Sequence, residues 1–161
     1  MSNNNGGYSS NNYMRLIFPS RPANVAFARV AIAAFATQLP FTLEEIDEIK
    51  VATSEAVSNC VIHAYPDSVG LVEINAEIDS GLFRLSIKDT GVGIADLDAA
   101  KLPSYSTNPE RMGLGLVFMD SFMDSLSIET AVGRGTTAIM EKKPSNPAPD
   151  DQDQAQDVYE P

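Results

Sequence analysis

Two stretches of the chain have apolar residues at three- and four-residue spacing, which predicts two helices. The first covers residues 23 to about 39 and ends before Pro40. The second covers residues 42 to about 64 and ends before Pro66. Thr42 is followed by Glu45 at the spacing of a capping box, which marks the start of the second helix.

Elsewhere apolar and polar residues alternate with a period of two, which predicts strands. The expected strands pair as hairpins, at residues 71–78 with 82–89 and at residues 125–130 with 136–142, beside a first strand at 14–19. A short helix is expected at residues 115–123. Together these elements predict an α+β fold, in which helices cover one face of a mainly antiparallel, mixed sheet.

The composition at the two ends differs from that of the central part. Residues 1–13 are rich in Asn, Ser and Gly, and residues 144–161 are rich in Pro and acidic residues. Neither segment has enough apolar side chains to form a packed core, so we expect both to be disordered tails. The 161-residue chain is therefore expected to form one domain at residues 14–143.

Charge and cysteine content limit the possible partners. A net charge of −11 argues against direct binding to nucleic acid, which requires a basic face. The chain contains one cysteine, which is typical of a reducing compartment. Because no segment resembles a signal peptide or membrane span, a cytoplasmic protein without a membrane partner is expected.

The second helix carries a row of polar side chains in apolar surroundings. Glu55 and Asn59 are four residues apart and share one face, and His63 extends the row by another turn. Such a row is often a solvated helix face, but polar groups among apolar ones also indicate a ligand site. For His63 we expect a histidine with an ordinary structural role.

A second candidate lies at the end of the predicted strand at residues 82–89. The period of two places Asp89 on the face of Phe83 and Ile87, which is expected to be buried, so its carboxylate needs a donor. Gly91 and Gly93 follow, and glycines let backbone approach a flat ligand closely. A strand that simply ends in a turn is the alternative.

Glycines also precede the short helix. Arg111, Gly113 and Gly115 lie just before or at its N-terminus, where free backbone N–H groups favour an anion. The same residues could also form a flexible turn into the helix. The loop at residues 91–112 is long enough to serve as a lid. The Gly135-Thr136-Thr137 segment is by itself explained by strand propensity.

The order of these motifs resembles the GHKL (Bergerat) ATPase and kinase superfamily and, more closely, the small serine kinases of the sporulation anti-sigma-F factor family. The segments that carry the resemblance are Ser54-Glu55-Ala56-Val57-Ser58-Asn59, Asp89-Thr90-Gly91-Val92-Gly93-Ile94, residues 118–124 and Gly135-Thr136-Thr137. The resemblance covers about residues 14–142 and implies the two-layer GHKL sandwich with a long ATP lid.

The resemblance also implies roles for individual residues. Glu55 would orient or deprotonate a serine hydroxyl, Asn59 would bind Mg²⁺, and Asp89 would accept a hydrogen bond from the adenine amino group. The lid would span residues 95–112. The remaining residues expected to bind ATP are Gly91, Gly93, Thr107, Arg111, Gly113, Gly115 and Thr137.

The function implied has two parts. The protein would keep a sigma-F-type sigma factor from RNA polymerase, and would use Mg-ATP to phosphorylate a serine of an anti-anti-sigma protein. Arg29 matches a family position that contacts protein partners, and family members are homodimers. Two alternatives are a switch kinase for a general-stress sigma factor and a non-catalytic module that binds sigma stoichiometrically.

Overall fold

The computed structural model describes residues 11–102 and 114–146. The strands are β1 (Asn12–Pro19), β2 (Leu71–Asp79), β3 (Leu82–Asp89), β4 (Ser125–Ala131) and β5 (Gly135–Lys142). The α-helices are α1 (Ala23–Ala36), α2 (Leu43–Asn59), α3 (Leu97–Ala100) and α4 (Gly115–Phe122). A π-helical turn, Cys60–Ala64, continues directly from α2.

The five strands form one sheet in the order β1-β2-β3-β5-β4. The α+β class predicted from the sequence is confirmed. All neighbouring pairs among the described strands are antiparallel, whereas a mixed sheet would also contain parallel pairs. Both predicted hairpins form. The turn between β2 and β3 has positive φ angles at Ser80 (52°) and Gly81 (78°), the two-residue geometry that suits the twist of a hairpin.

The start of α2 forms as its sequence predicts. The Thr42 hydroxyl accepts the Glu45 backbone N–H at 3.2 Å, and the Glu45 carboxylate accepts the Thr42 N–H at 2.8 Å. This capping box satisfies two N–H groups that the helix itself cannot bond. The far end of α2 differs from the prediction in kind, because its last turn widens from α to π geometry.

The core lies between the sheet and the helices. Side chains on the helix-facing side of the sheet are fully buried, among them Ile74, Leu85 and Met140. They pack against α1 and α2, whose Ile32 and Ile49 are also fully buried. This packing fixes α2 as the central helix, with α1 on one side and α4 on the other.

Element boundaries differ from the predictions by a few residues. Strand β1 begins at Asn12, two residues before the expected start, and α1 ends at Ala36 rather than near residue 39. The expected loop after β3 contains the short helix α3. Among helices in residues 11–102 and 114–146, none has the length and apolar character needed to cross a bilayer.

Candidate functional site

Glu55, Asn59 and Gly115 meet where α2 packs against the start of α4. Both α2 side chains are half-buried and point to the same helix face. A Cβ atom added to Gly115 would lie 2.8 Å from Glu55 Oε2 and 3.7 Å from Asn59 Oδ1. The glycine therefore leaves space for the carboxylate and carboxamide beside the first residue of α4.

The N-terminus of α4 is suited to an anion. The first hydrogen bond of this helix runs from Phe118 N–H to the Leu114 carbonyl at 2.9 Å, so the N–H groups of residues 115–117 have no partner within the helix. The helix dipole adds positive potential at this end. Polyphosphate oxygens placed here would lie next to Glu55 and Asn59.

The same corner offers ligands for a hard cation. The oxygens of Glu55 and Asn59 are the type that Mg²⁺ prefers, and Mg²⁺ is usually held by few protein ligands together with phosphate oxygens. In the part of the chain that the structure describes, no cluster of three or more His, Cys, Asp or Glu side chains forms a complete metal site. The residues thus fit a magnesium ion bound jointly with a phosphorylated ligand.

Asp89 is the last residue of β3 and lies on the helix-facing side of the sheet, where only 5% of its surface is exposed. Its Oδ1 accepts the backbone N–H of Gly91 at 2.9 Å and that of Thr136 at 3.2 Å. An ionised carboxylate has about four acceptor positions. Asp89 is therefore fixed in place and retains the capacity to accept a hydrogen bond from a ligand.

Cys60 links the two ends of the site, since it follows Asn59 in sequence and its side chain interacts with Asp89. Burial raises the pKa of the Cys60 thiol, and the charge and hydrogen bonding of Asp89 raise the pKa further. The thiol lies 3.4 Å from the Ala56 carbonyl oxygen, to which it donates. A buried thiol kept protonated is chemically inert and serves as packing and as a weak donor.

Gly91 and Gly93 let the segment after Asp89 pass between two other parts of the backbone. A Cβ atom on Gly91 would collide with the Ala64 carbonyl oxygen, and one on Gly93 would collide with that of Ala131. Gly93 also has a φ of 74°. The Val92 N–H donates to the Ala64 oxygen at 2.9 Å. Close backbone packing thus requires both glycines and makes this turn rigid.

The start of β5 completes the surroundings of Asp89. Gly135 has a φ of 96°, and a Cβ atom there would collide with the Asp89 carbonyl oxygen. The Thr136 hydroxyl lies 2.9 Å from the Thr130 hydroxyl and, like Asp89, belongs to the helix-facing side of the sheet. Thr136 therefore borders the site through both its backbone and its side chain.

Thr137, which the family resemblance implies as an ATP-binding residue, does not lie on the same side of the sheet as Asp89. It pairs with Lys88 on β3 and with Glu129 on β4, and both neighbours are exposed on the open face of the sheet. Successive residues of a strand point to opposite faces of the sheet, so Thr136 and Thr137 lie on different sides. Thr136, and not Thr137, lies on the side of Asp89.

The other expected residues occupy different parts of the molecule. Thr107, Arg111 and Gly113 lie outside the described residues. Arg29 is exposed on α1, and His63 is half-buried in the π-helical turn. No sequence motif indicates Tyr65, whose hydroxyl donates to the Leu71 carbonyl oxygen and accepts the Thr90 backbone N–H. These contacts carry no sequence signal because they depend on the tertiary arrangement of the end of α2, the start of β2 and the turn after Asp89.

Comparison with protein families matches residues 18–142 to the histidine kinase-like ATPase domain. An anti-sigma F factor of Geobacillus thermodenitrificans is 45% identical over 134 residues, which are 81% of this chain and 92% of that protein. An anti-sigma F factor of Clostridium acetobutylicum is 44% identical over 134 residues, 82% of this chain and 94% of that protein. The similarity to these relatives thus extends over nearly their whole length.

Solved structures share the fold at lower sequence identity. The RsbU and RsbW domains of a Mycobacterium tuberculosis protein align with a TM-score of 0.63 and 21% identity, covering 85% of this chain and 34% of that one. The blue-light activated histidine kinase EL346 of Erythrobacter litoralis aligns with a TM-score of 0.54 and 20% identity. The alignment covers 75% of this chain and 41% of that one. At these identities the likeness concerns the fold alone.

Proposed function

The chain belongs to the histidine kinase-like ATPase domain family, among the anti-sigma F factors, and we propose that it is a cytoplasmic anti-sigma factor and serine kinase. It binds a sigma factor of the sigma-F type and keeps it from RNA polymerase. With Mg-ATP it also phosphorylates a serine of an anti-anti-sigma protein. The observation that carries the proposal is the meeting of Glu55 and Asn59 with the glycine start of α4.

In this proposal ATP occupies a cleft that runs from Asp89 along α2 to the start of α4, and adenine occupies the Asp89 end. Asp89 accepts the hydrogen bond of the adenine amino group, since its Oδ1 is already held by two backbone N–H groups and the carboxylate retains acceptor capacity. The backbone around Gly91 and Gly93 borders the ring. Thr136, rather than Thr137, supplies the polar group from β5 because it lies on the same side of the sheet as Asp89.

The phosphates extend from there along α2 toward α4. Residues 59 and 60 adjoin in the chain, so the adenine end and the phosphate end of the cleft are contiguous. The N–H groups at the start of α4, which have no partner within the helix, receive phosphate oxygens, and Asn59 supplies an oxygen ligand to Mg²⁺. Thr107, Arg111 and Gly113 are proposed to contribute further phosphate contacts.

Glu55 acts on the substrate serine. ATP bound with Mg²⁺ supplies the phosphoryl group, and the fold contributes position and charge. Glu55 accepts a hydrogen bond from the serine hydroxyl and aligns its oxygen with the phosphate end of the cleft. It takes the proton as the bond between the serine oxygen and the terminal phosphorus forms and the bond from that phosphorus to the bridging oxygen breaks, which releases ADP. Its location one helical turn from Asn59 places this base beside the metal ligand.

The exposed side of α1 is the proposed site of protein partners. Around Arg29 it exposes Phe27 (54% exposed) and Val30 (63%). Apolar side chains beside an arginine are typical of protein interfaces. We assign this surface to sigma binding and to pairing with a second copy of the chain.

Transcription in vitro tests the sequestration. RNA polymerase carrying sigma-F should lose activity at a sigma-F promoter when the protein is added with Mg-ATP, and polymerase carrying the general-stress sigma factor should not. Inhibition of the polymerase that carries the general-stress sigma factor, and not of the one that carries sigma-F, would instead identify the protein as the switch kinase of the general-stress sigma factor. Unchanged transcription with both sigma factors would refute the anti-sigma role.

A further inference from the structure

Tyr65 joins three segments of the chain through a single hydroxyl group. The residue directly follows the π-helical turn at the end of α2. Its hydroxyl donates to the Leu71 carbonyl oxygen at the start of β2 at 2.7 Å, and it accepts the Thr90 backbone N–H at 2.9 Å. The Thr90 hydroxyl lies 3.3 Å away. Tyr65 thus ties the helix end to the turn that follows Asp89.

The ring of Tyr65 is held as firmly as its hydroxyl. A Cβ atom at Gly70 would collide with the ring, so the ring lies directly on the glycine backbone. The π geometry of the preceding turn inserts an extra residue relative to an α-helix, and such turns occur frequently at functional sites. Here the turn sets the direction in which the chain delivers Tyr65.

Three successive N–H groups after β3 show how the helix end controls the Asp89 turn. The Thr90 N–H donates to Tyr65, the Gly91 N–H donates to Asp89 Oδ1, and the Val92 N–H donates to the Ala64 oxygen, each at 2.9 Å. The outer two bonds hold the turn from the helix side. The middle bond, which orients the carboxylate, therefore depends on the outer two.

We propose that Tyr65 is a positioning residue for base selection: its hydroxyl fixes the Asp89 turn so that the carboxylate meets the amino group of adenine and rejects guanine. The inference rests on the proposed role of Asp89. Guanine presents a carbonyl oxygen where adenine presents its amino group. When guanine is bound, a rigidly held Asp89 carboxylate faces this carbonyl oxygen, and two acceptors without a shared hydrogen form no hydrogen bond. A carboxylate that can turn away avoids this unfavourable contact, so the protein then discriminates less between adenine and guanine.

The test is calorimetric titration of the full chain and of Tyr65→Phe with Mg-ATP and Mg-GTP. The phenylalanine keeps the ring on Gly70 and removes only the hydroxyl. We expect the ratio of ATP to GTP affinity to fall about fivefold, mainly through weaker ATP binding. Tyr13→Phe, a matched change at an exposed residue of β1, should leave the ratio unchanged.

The affinity ratio separates base selection from a merely structural role. Any loss of folded protein lowers the apparent affinities for ATP and GTP alike and leaves their ratio unchanged. An unchanged ratio in Tyr65→Phe, together with a lowered ratio in Asp89→Asn, would overturn the role of Tyr65 while retaining that of Asp89. An unchanged ratio in Asp89→Asn would refute both, because base recognition would then not involve Asp89.

Discussion

At the scale of single residues, two carboxylates of the cleft differ in how they are held. Asp89 is buried and bound by two backbone N–H groups, which suits recognition of a fixed donor. Glu55 is half-buried at the junction of α2 and α4. The different surroundings support the proposal that Asp89 binds the nucleotide and that Glu55 accepts the proton.

Gly115→Ala tests the space beside Glu55. The new methyl group would lie 2.8 Å from Glu55 Oε2, and the flexible end of that side chain can move aside. Alanine is also a better helix former than glycine, so thermal unfolding should show equal or greater stability. Phosphotransfer should fall about 10- to 100-fold, because the carboxylate is displaced. Unchanged phosphotransfer in a folded variant would contradict the placement.

The candidate site was predictable from sequence where it follows a simple period. Glu55 with Asn59 follows the helical repeat, and the burial of Asp89 follows the strand repeat. The face of Thr136 was missed because Ala138, Ile139 and Met140 are all apolar, so the alternation in β5 does not indicate which side is buried. Tyr65 was missed because its partners are brought together only by the tertiary fold.

At the scale of elements, the first turn of α2 is joined to the end of β5. The Glu45 carboxylate caps the helix and also accepts the backbone N–H of Ser145 at 2.8 Å. Lys142 donates to the carbonyl of Phe122, the last residue of α4, and pairs with Glu48 at 2.9 Å. These polar contacts connect α2, α4 and the chain after β5 at the edge of the core.

Glu45→Gln should show a stability loss that depends on pH. Burial alone would raise the pKa of Glu45, but the N–H groups of Thr42 and Ser145 and the charge of Lys142 hold it below its ordinary value. Since the folded pKa is lowered, the ionised group stabilises the fold above about pH 4.3, and this contribution is lost as the pH falls further.

Urea unfolding measures the effect. Glu45→Gln should lose about 1 kcal/mol at pH 7, and the difference from the native chain should narrow below about pH 4.3. Glu44→Gln, which changes an exposed neighbour in the same turn, is the control and should have a smaller effect. A difference that stayed constant with pH would contradict the role given to the Glu45 charge.

The element order was predictable to a large degree, since apolar periodicity and turn residues suffice for strands and helices of this length. Both hairpins and the capping box agree with the prediction. The change from α to π geometry after Asn59 was not predictable, because it accompanies tertiary contacts, of Tyr65 with Gly70 and of Ala64 with Gly91, that the sequence does not reveal.

At the scale of the whole molecule, the nucleotide cleft and the proposed partner surface are separate regions joined through the packing of α1 on α2. Arg29→Ala should therefore weaken sigma binding about tenfold and leave ATP affinity unchanged. Arg21→Ala is the control, since Arg21 is also exposed but precedes α1. Equal sigma affinity in both variants would remove Arg29 from the interface.

The central claim is phosphotransfer within this cleft, and the most direct measurement is the intact mass of an anti-anti-sigma protein incubated with Mg-ATP and the full chain. We expect a gain of one phosphate on a serine, and about a 100-fold or greater loss of rate in Glu55→Gln with ATP affinity retained. No gain in mass by the native chain, despite measured ATP binding, would contradict the account and favour a stoichiometric sigma-binding module.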